Sequence, residues 1–316
     1  MPVSCIDPSK KLPRRRFQFK SFSYTIERRR GKWVIRLDMM LFYQLVIGLA
    51  GSTVIAGAAY WKRSLSRSGF FAAVVLGTLL YAVSDLIWFG SLIAFFISSS
   101  LLSKVKRRRK LEAERHYEKS GARDAGQVTA NGGIALLMAI GYALHPHIAW
   151  WYAYIGALAA VNADTWATEL GGLSRSQPRS IVNGKPVQPG TSGGVTLVGL
   201  MASLAGGWFI GAAAYVLFWL SGGESSDPSI SLSTMHRTIW AAGAAGILGS
   251  LLDSWLGATV QAGYRCSRCG RLVETDEHCG MQAEQVRGWR SMRNDQVNAL
   301  ASLGGAGAGW MFGLWL

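Results

Sequence analysis

Apolar residues run in blocks of about 20 along this chain, separated by short polar stretches. A helix of that length spans the roughly 30 Å of hydrocarbon in a bilayer, whereas a soluble core is built from shorter runs. Eight segments are predicted, at about 40–60, 69–84, 86–103, 128–145, 148–163, 194–219, 238–257 and 296–316. The stretch 69–103 is too long for one span, and Asp85 marks the turn within it. Several segments are shorter than a full span, which tilted or half-helices accommodate. The expected fold is all-α: a polytopic transmembrane bundle of about 7–8 helices over 39–316, including a Cys/His loop at 262–295, behind a basic extension at 1–38.

Composition agrees. Half of the residues are hydrophobic, 16% are charged, and the formal net charge is +15. The charge is concentrated in alternate loops. Lys62, Arg63 and Arg67 follow the first segment, nine basic residues lie between Lys104 and Arg123, Arg175, Arg179 and Lys185 follow the fifth, and six lie between Arg265 and Arg293. The intervening loops carry only Arg237. The positive-inside rule therefore predicts a multi-pass protein of the cell membrane with every motif-bearing loop in the cytoplasm. Basic residues are not interleaved with aromatics on an accessible face, which argues against nucleic acid as a partner. The bilayer is the partner this pattern implies. One segment conflicts: residues 1–38 carry eleven Lys/Arg against three acids, yet this topology puts them outside. A start at Met39 or Met40 removes the conflict; the competing explanation is that 69–103 does not cross twice.

Candidate chemistry begins at Asp164, in Asn162-Ala163-Asp164-Thr165-Trp166-Ala167-Thr168-Glu169-Leu170-Gly171. An acid beside a bilayer is costly and normally has a partner or a task. If the helix continues, Thr168 shares the face of Asp164, and Glu169 is turned about 140° away. Asp164, Glu169 and Asn162 are hard oxygen donors of the kind that hold Mg²⁺ when phosphates complete the shell. Arg179 and Lys185 are candidates for neutralising phosphate. Gly190, Thr191, Gly193 and Gly194 form a turn before an apolar helix, where backbone N–H groups hold anions. Read singly, each element is an ordinary turn or cap; together they point to a phosphate site.

Asp253-Ser254-Trp255 repeats Asp164-Thr165-Trp166 after 89 residues, at the same expected depth. A matched pair of acids suits a shared metal or a transferring phosphoryl group, and a chance three-residue match is the plain alternative. Cys266-x-x-Cys269 with His278-Cys279 offers four zinc ligands, although adjacent ligands are strained as a pair; unliganded thiols are the alternative. Arg123-Asp124 through Asn131-Gly132-Gly133 reads most simply as helix capping, as does Arg293-Asn294-Asp295, where Asp295 is a candidate third acid.

These blocks, in this order, resemble the integral-membrane family that contains transmembrane protein 19 and plant phytyl-phosphate kinase, also called domain of unknown function 92. The shared blocks are 123–133, Asn162–Gly171, Pro178-Arg179, Pro189-Gly190-Thr191, Gly193–Thr196, Asp253-Ser254, 266–270, 278–280 and 294–298. The resemblance covers about 45–316 and leaves out 1–38. More distantly, the Asp164 block looks like the nucleotide segment of CTP-dependent dolichol kinases and phosphatidate cytidylyltransferases. The implied activity is a prenyl-phosphate kinase, moving a phosphoryl group from CTP or ATP to an isoprenyl monophosphate such as phytyl or geranylgeranyl phosphate. Asp164 and Asp253 would bind Mg²⁺ with Glu169, Asn162 or Asp295 assisting, and Arg179, Lys185 and 190–194 would hold the nucleotide. Structural Zn²⁺ would sit at Cys266, Cys269, His278 and Cys279. A transporter or lipid flippase with paired membrane-edge acids is the main alternative; a structural protein presenting a zinc loop is a third.

Overall fold

The computed structural model describes residues 39–104, 121–223, 225 and 229–315, and the backbone of 16–18, 23–29 and 32–37. The last three are strands β1 (Arg16–Gln18), β2 (Ser23–Arg29) and β3 (Lys32–Leu37), in one antiparallel sheet. The rest of 1–38 and the basic run of 105–120 lie outside the described residues.

Eight helices follow among the described residues: α1 (Met39–Trp61), α2 (Arg67–Val83), α3 (Leu86–Lys104), α4 (Ala125–Leu144), α5 (Ile148–Gly171), α6 (Leu197–Leu220), α7 (Leu232–Thr259) and α8 (Asn294–Trp315). The sequence supplies their caps. Ser66, Thr196 and Ser231 each accept a backbone N–H with the side-chain oxygen, and Asp124 forms a reciprocal capping box with Gln127. The predicted break in 69–103 is present, with Asp85 Oδ1 accepting from Ile87 N at 2.9 Å. Five helices (α1, α3, α4, α6 and α7) are long and apolar enough to cross a membrane, and α2 is a shorter apolar helix. The chain is an integral membrane protein with a helical bundle.

α5 is the axis of that bundle, touching α3, α4, α6, α7 and α8. It is apolar on all sides from Ala149 to Val161, and a helix without a polar face is buried; fourteen of its residues are buried. At one end Trp88, Trp151 and Tyr154 pack ring to ring, and Trp151 Nε1 donates to Thr238 Oγ1 at 3.0 Å. α1 and α2 attach at the side through α4.

Two segment boundaries move. α5 runs on through Asp164 to Gly171 instead of stopping near 163, and α7 starts at Leu232. Both ends stay helical because their backbone bonds remain within the helix, while Glu169 acts on Arg123 and His236 packs on Tyr215. The alternation of loops is preserved. Lys104 Nζ donates to Lys62 O, Ser66 N to Arg123 O and Ser192 Oγ to Glu274 Oε1, so the basic loops meet at one end. At the other, Ser225 Oγ donates to Asp85 Oδ2.

Candidate functional site

Close packing of small residues sets the position of the two acids. A Cβ on Gly249 of α7 would stand 2.2 Å from the Cβ of Ala160 on α5, so no larger residue fits there. Both helices run towards the basic end. Four residues on, one turn along the same faces, are Asp253 and Asp164. Their charges interact, and Glu274 from the Cys/His loop interacts with Asp253 as well. Asp253 Oδ2 is enclosed with no hydrogen-bond partner. Converging carboxylates repel one another in a low-dielectric site, and an enclosed unpaired oxygen is costly. A divalent cation relieves both, and hard oxygen donors suit Mg²⁺. The residues present therefore fit that ion.

Against the acids lies the 177–195 loop, held by the paired strands β4 (Arg179–Ser180) and β5 (Gly194–Val195). Gly190 and Gly193 adopt φ of 84° and 80°, a left-handed backbone that favours glycine. Gly193 also lies flat on α7: a Cβ there would be 2.4 Å from that of Ala258 and 2.8 Å from Ser254 O. The loop thus rests one turn beyond Asp253. Its Ser192 Oγ donates to Glu274 Oε1 at 2.6 Å, a charge-assisted bond worth about 1.5–3 kcal/mol.

Between this loop and the Cys/His loop is a cleft of about 280 Å³, lined by Gly190, Thr191, Ser192, Arg265, Glu274 and Arg287 among others. Its far wall is a small sheet in the order β10 (Glu284–Arg287), β6 (Gly263–Arg265), β7 (Leu272–Val273). Ala262, Tyr264 and Val273 give this sheet a small core of its own. Burial pushes the Arg287 guanidinium below its ordinary range, and the neighbouring Glu274 opposes that shift. Its Nε is enclosed without a partner. The cleft thus offers two arginines and a glycine-rich backbone beside an acid cluster, which suits a polyphosphate.

The four predicted thiol and imidazole ligands do converge. Ligand atoms of Cys266, Cys269, His278 and Cys279 all lie within 4.8 Å of one another. His278 Nδ1 is 3.2 Å from Cys279 Sγ and 3.5 Å from Cys269 Sγ. The strain expected of adjacent ligands is taken up by the backbone. Cys279 and Gly280 both have positive φ, at 55° and 74°, and form the two-residue turn between β8 (Glu277–His278) and β9 (Met281–Gln282). The His278 hydrogen bond draws the Cys266 thiol down to about 6, towards the thiolate that a metal needs.

Other expected participants are placed elsewhere. Because α5 continues to Gly171, Glu169 stays on a different face from Asp164, and its charge acts on Arg123. Asn162 is fully buried, accepting from Ser98 Oγ at 2.8 Å and donating to Gly206 O at 2.7 Å, so its amide joins α3, α5 and α6. Arg179 Nη1 donates to Gly184 O within its own loop, and Lys185 is exposed. The N-terminus of α6 is occupied by its own cap: Thr196 Oγ1 accepts from Gly199 N, and Gly171 packs against Gly199. The 190–192 stretch, by contrast, lines the cleft. Asp295 opens α8 at the same end of the bundle.

Sequence reasoning missed Glu274, Arg265 and Arg287, and treated Ser192 only as part of a turn. Nothing in the local pattern around Glu274 separates it from a solvated loop acid. Its role comes from a contact with Ser192 across 82 residues.

Comparison with known proteins is consistent with this architecture. Residues 50–306 match the model of a family described as Integral membrane protein DUF92. Protein PGR of Arabidopsis thaliana is 31% identical over 279 residues, covering 83% of this chain and 93% of its own. Uncharacterized membrane protein MJ0933 of Methanocaldococcus jannaschii is 31% identical over 220 residues, covering 70% and 84%. Uncharacterized membrane protein sll0875 of Synechocystis is 29% identical over 206 residues, covering 63% and 73%. No solved structure matches.

Proposed function

Since the chain belongs to the family Integral membrane protein DUF92, we propose that it is a membrane-embedded phosphotransferase acting on a lipid phosphate. The observation that carries this reading is that Asp253, on which the charges of both Asp164 and Glu274 act, stands beside an arginine-lined cleft. CTP or ATP would lie in the cleft, its phosphates against Arg265, Arg287 and the 190–192 backbone. Asp164 and Asp253 would hold Mg²⁺ with phosphate oxygens, and the ion would neutralise charge on the transferring group. An oxygen of an isoprenyl monophosphate attacks the terminal phosphorus of the nucleotide. The bond from that phosphorus to the bridging oxygen breaks, and the nucleoside diphosphate leaves with the electron pair. Little covalent chemistry is asked of the protein; it positions groups and stabilises charge.

Depth favours this over transport. Asp164 and Asp253 lie seven and six residues before the ends of their helices, about 10 Å at 1.5 Å per residue. A transport site near the bilayer midplane would lie deeper, whereas this depth is within reach of a soluble nucleotide. By the positive-inside rule the basic end would face the cytoplasm. The Cys266, Cys269, His278 and Cys279 group is proposed to bind Zn²⁺ and to hold β6 and β7 in place.

The test uses folded, purified protein with geranylgeranyl or phytyl phosphate, Mg²⁺ and each nucleotide in turn. An isoprenyl diphosphate is expected from at least one pair, and Asp164→Asn should abolish it while leaving detergent-solubilised assembly intact. No product from any pair would overturn the proposal.

A further inference from the structure

One motif remains unused by the acid site. Asp124 and Gln127 do cap α4, as their spacing predicts, but Arg123 does something else. It is half-buried at the basic end of the bundle, where Nη1 donates to Ser100 Oγ at 3.1 Å and the guanidinium stands 5.8 Å from the Phe96 ring centre. Glu169 adds its field, and burial still leaves the guanidinium below its ordinary range. The hydrogen bond to Ser100 engages one of the five N–H donors of this fork.

Arg123, Gln127 and Asn131 line the polar edge of an apolar chamber formed by α1, α2, α3 and α4. Ala56, Leu76, Leu92 and Phe95 supply much of its wall. Its volume is about 60 Å³, and about 10–15 Å³ on this measure holds one water. The space accepts roughly four or five water-sized groups, the size of one branched five-carbon unit, and not two chains side by side. Glycine keeps it narrow: a Cβ on Gly132 would be 2.9 Å from Leu76, and one on Gly77 2.4 Å from Ser52 Oγ.

We infer that this chamber binds the head-proximal part of a single-chain lipid whose anionic head is held by Arg123. The rest of the chain would leave between helices into the bilayer. Lys62 and Lys104 meet at the same end and the loop from 62 to 67 touches Arg123 through Ser64 and Ser66, so that with Arg123 these cations outnumber Glu169, the acid whose charge acts on it. An apolar chamber alone would take any hydrocarbon; the half-buried guanidinium at its edge selects the charged head. Binding as such does not rest on the phosphotransferase reading. The role of the site as the seat of the acceptor does.

The experiment measures lipid binding without nucleotide, by native mass spectrometry or thermal shift in a neutral detergent. Geranylgeranyl phosphate is compared with geranylgeraniol, a two-chain phosphatidate and inorganic phosphate. Wild-type protein should prefer geranylgeranyl phosphate over the alcohol by tenfold or more, and over phosphatidate. Arg123→Gln should remove the preference for the phosphate while leaving alcohol binding nearly unchanged. Since a variant of a half-buried arginine sometimes fails to fold, Ala56→Leu provides a second arm: it fills the chamber, keeps Arg123, and should weaken both single-chain lipids. Equal binding of phosphate and alcohol by wild type, binding unaffected by both variants, or tighter binding of phosphatidate or free phosphate would each overturn the inference. Nucleotide-dependent stabilisation and turnover are read separately, so the phosphotransferase proposal stands or falls on different data.

Discussion

At the residue scale, Asp253 is the least comfortable group described in this bundle. One of its oxygens is enclosed without a partner, and two acids act on it. Asp253→Asn should therefore reduce turnover by about 10²-fold or more while leaving the melting temperature unchanged or raised in metal-free buffer. A large fall in melting temperature would show that the acid is structural. Cys266 makes a pH-dependent prediction. Its thiol is lowered from the ordinary 9.0 to about 6 by the His278 hydrogen bond. A depressed thiol stabilises the folded loop fully above its ordinary value, partly at neutral pH, and not once pH has fallen through about 6. Metal retention, followed with a chromophoric chelator, should accordingly be lost on acidification through pH 6. Some of this chemistry was legible in the sequence. The four candidate Cys/His ligands lie within fourteen residues and fold locally, so their spacing announces the cluster. Glu169 illustrates the opposite case. It sits beside Asp164 in the chain, yet helix phase sends it to Arg123.

At the element scale, small residues decide which helices touch. Gly249 lies on Ala160, and Gly305 and Gly156 face each other with a Cβ-to-carbonyl distance of 2.5 Å if a side chain were added to Gly305. Gly249→Leu has nowhere to put its side chain and should cost at least about 1–3 kcal/mol. It should also separate Asp164 from Asp253. Thermal unfolding in detergent and Mg²⁺-dependent stabilisation would both fall. Gly51→Leu is the control: a Cβ there meets nothing within 4 Å, so stability should hold or rise slightly with the better helix former. Helix caps and the Asp85 break were readable, because capping is a local contest for backbone N–H groups. The extension of α5 to Gly171 was not readable from apolar content, since its last turns are held by helical hydrogen bonds while Glu169 acts on Arg123.

At the scale of the whole molecule, the basic loops gather at one end and the bare loops at the other. A reporter topology experiment checks the orientation. Alkaline phosphatase fused after His145 should be active outside, and fused after Lys185 inactive, with the reverse pattern for a fluorescent protein that folds only in the cytoplasm. Activity after Lys185 would invert the assignment and remove the nucleotide from reach of the acids. The sequence by itself determined the membrane class, a bundle of about 7–8 helices, the two-sided distribution of charge and the Cys/His cluster. These depend on span length, on the cost of moving charge across a bilayer and on contacts between near neighbours. Only the tertiary structure decided that the charges of Asp164 and Glu274 both act on Asp253, that Asn162 is committed to helix packing, and that Arg265 and Arg287 form a cleft with Ser192. The physical reason is that each of these depends on helix phase and on close approach between segments distant in the chain, and neither is written in the order of the residues around them.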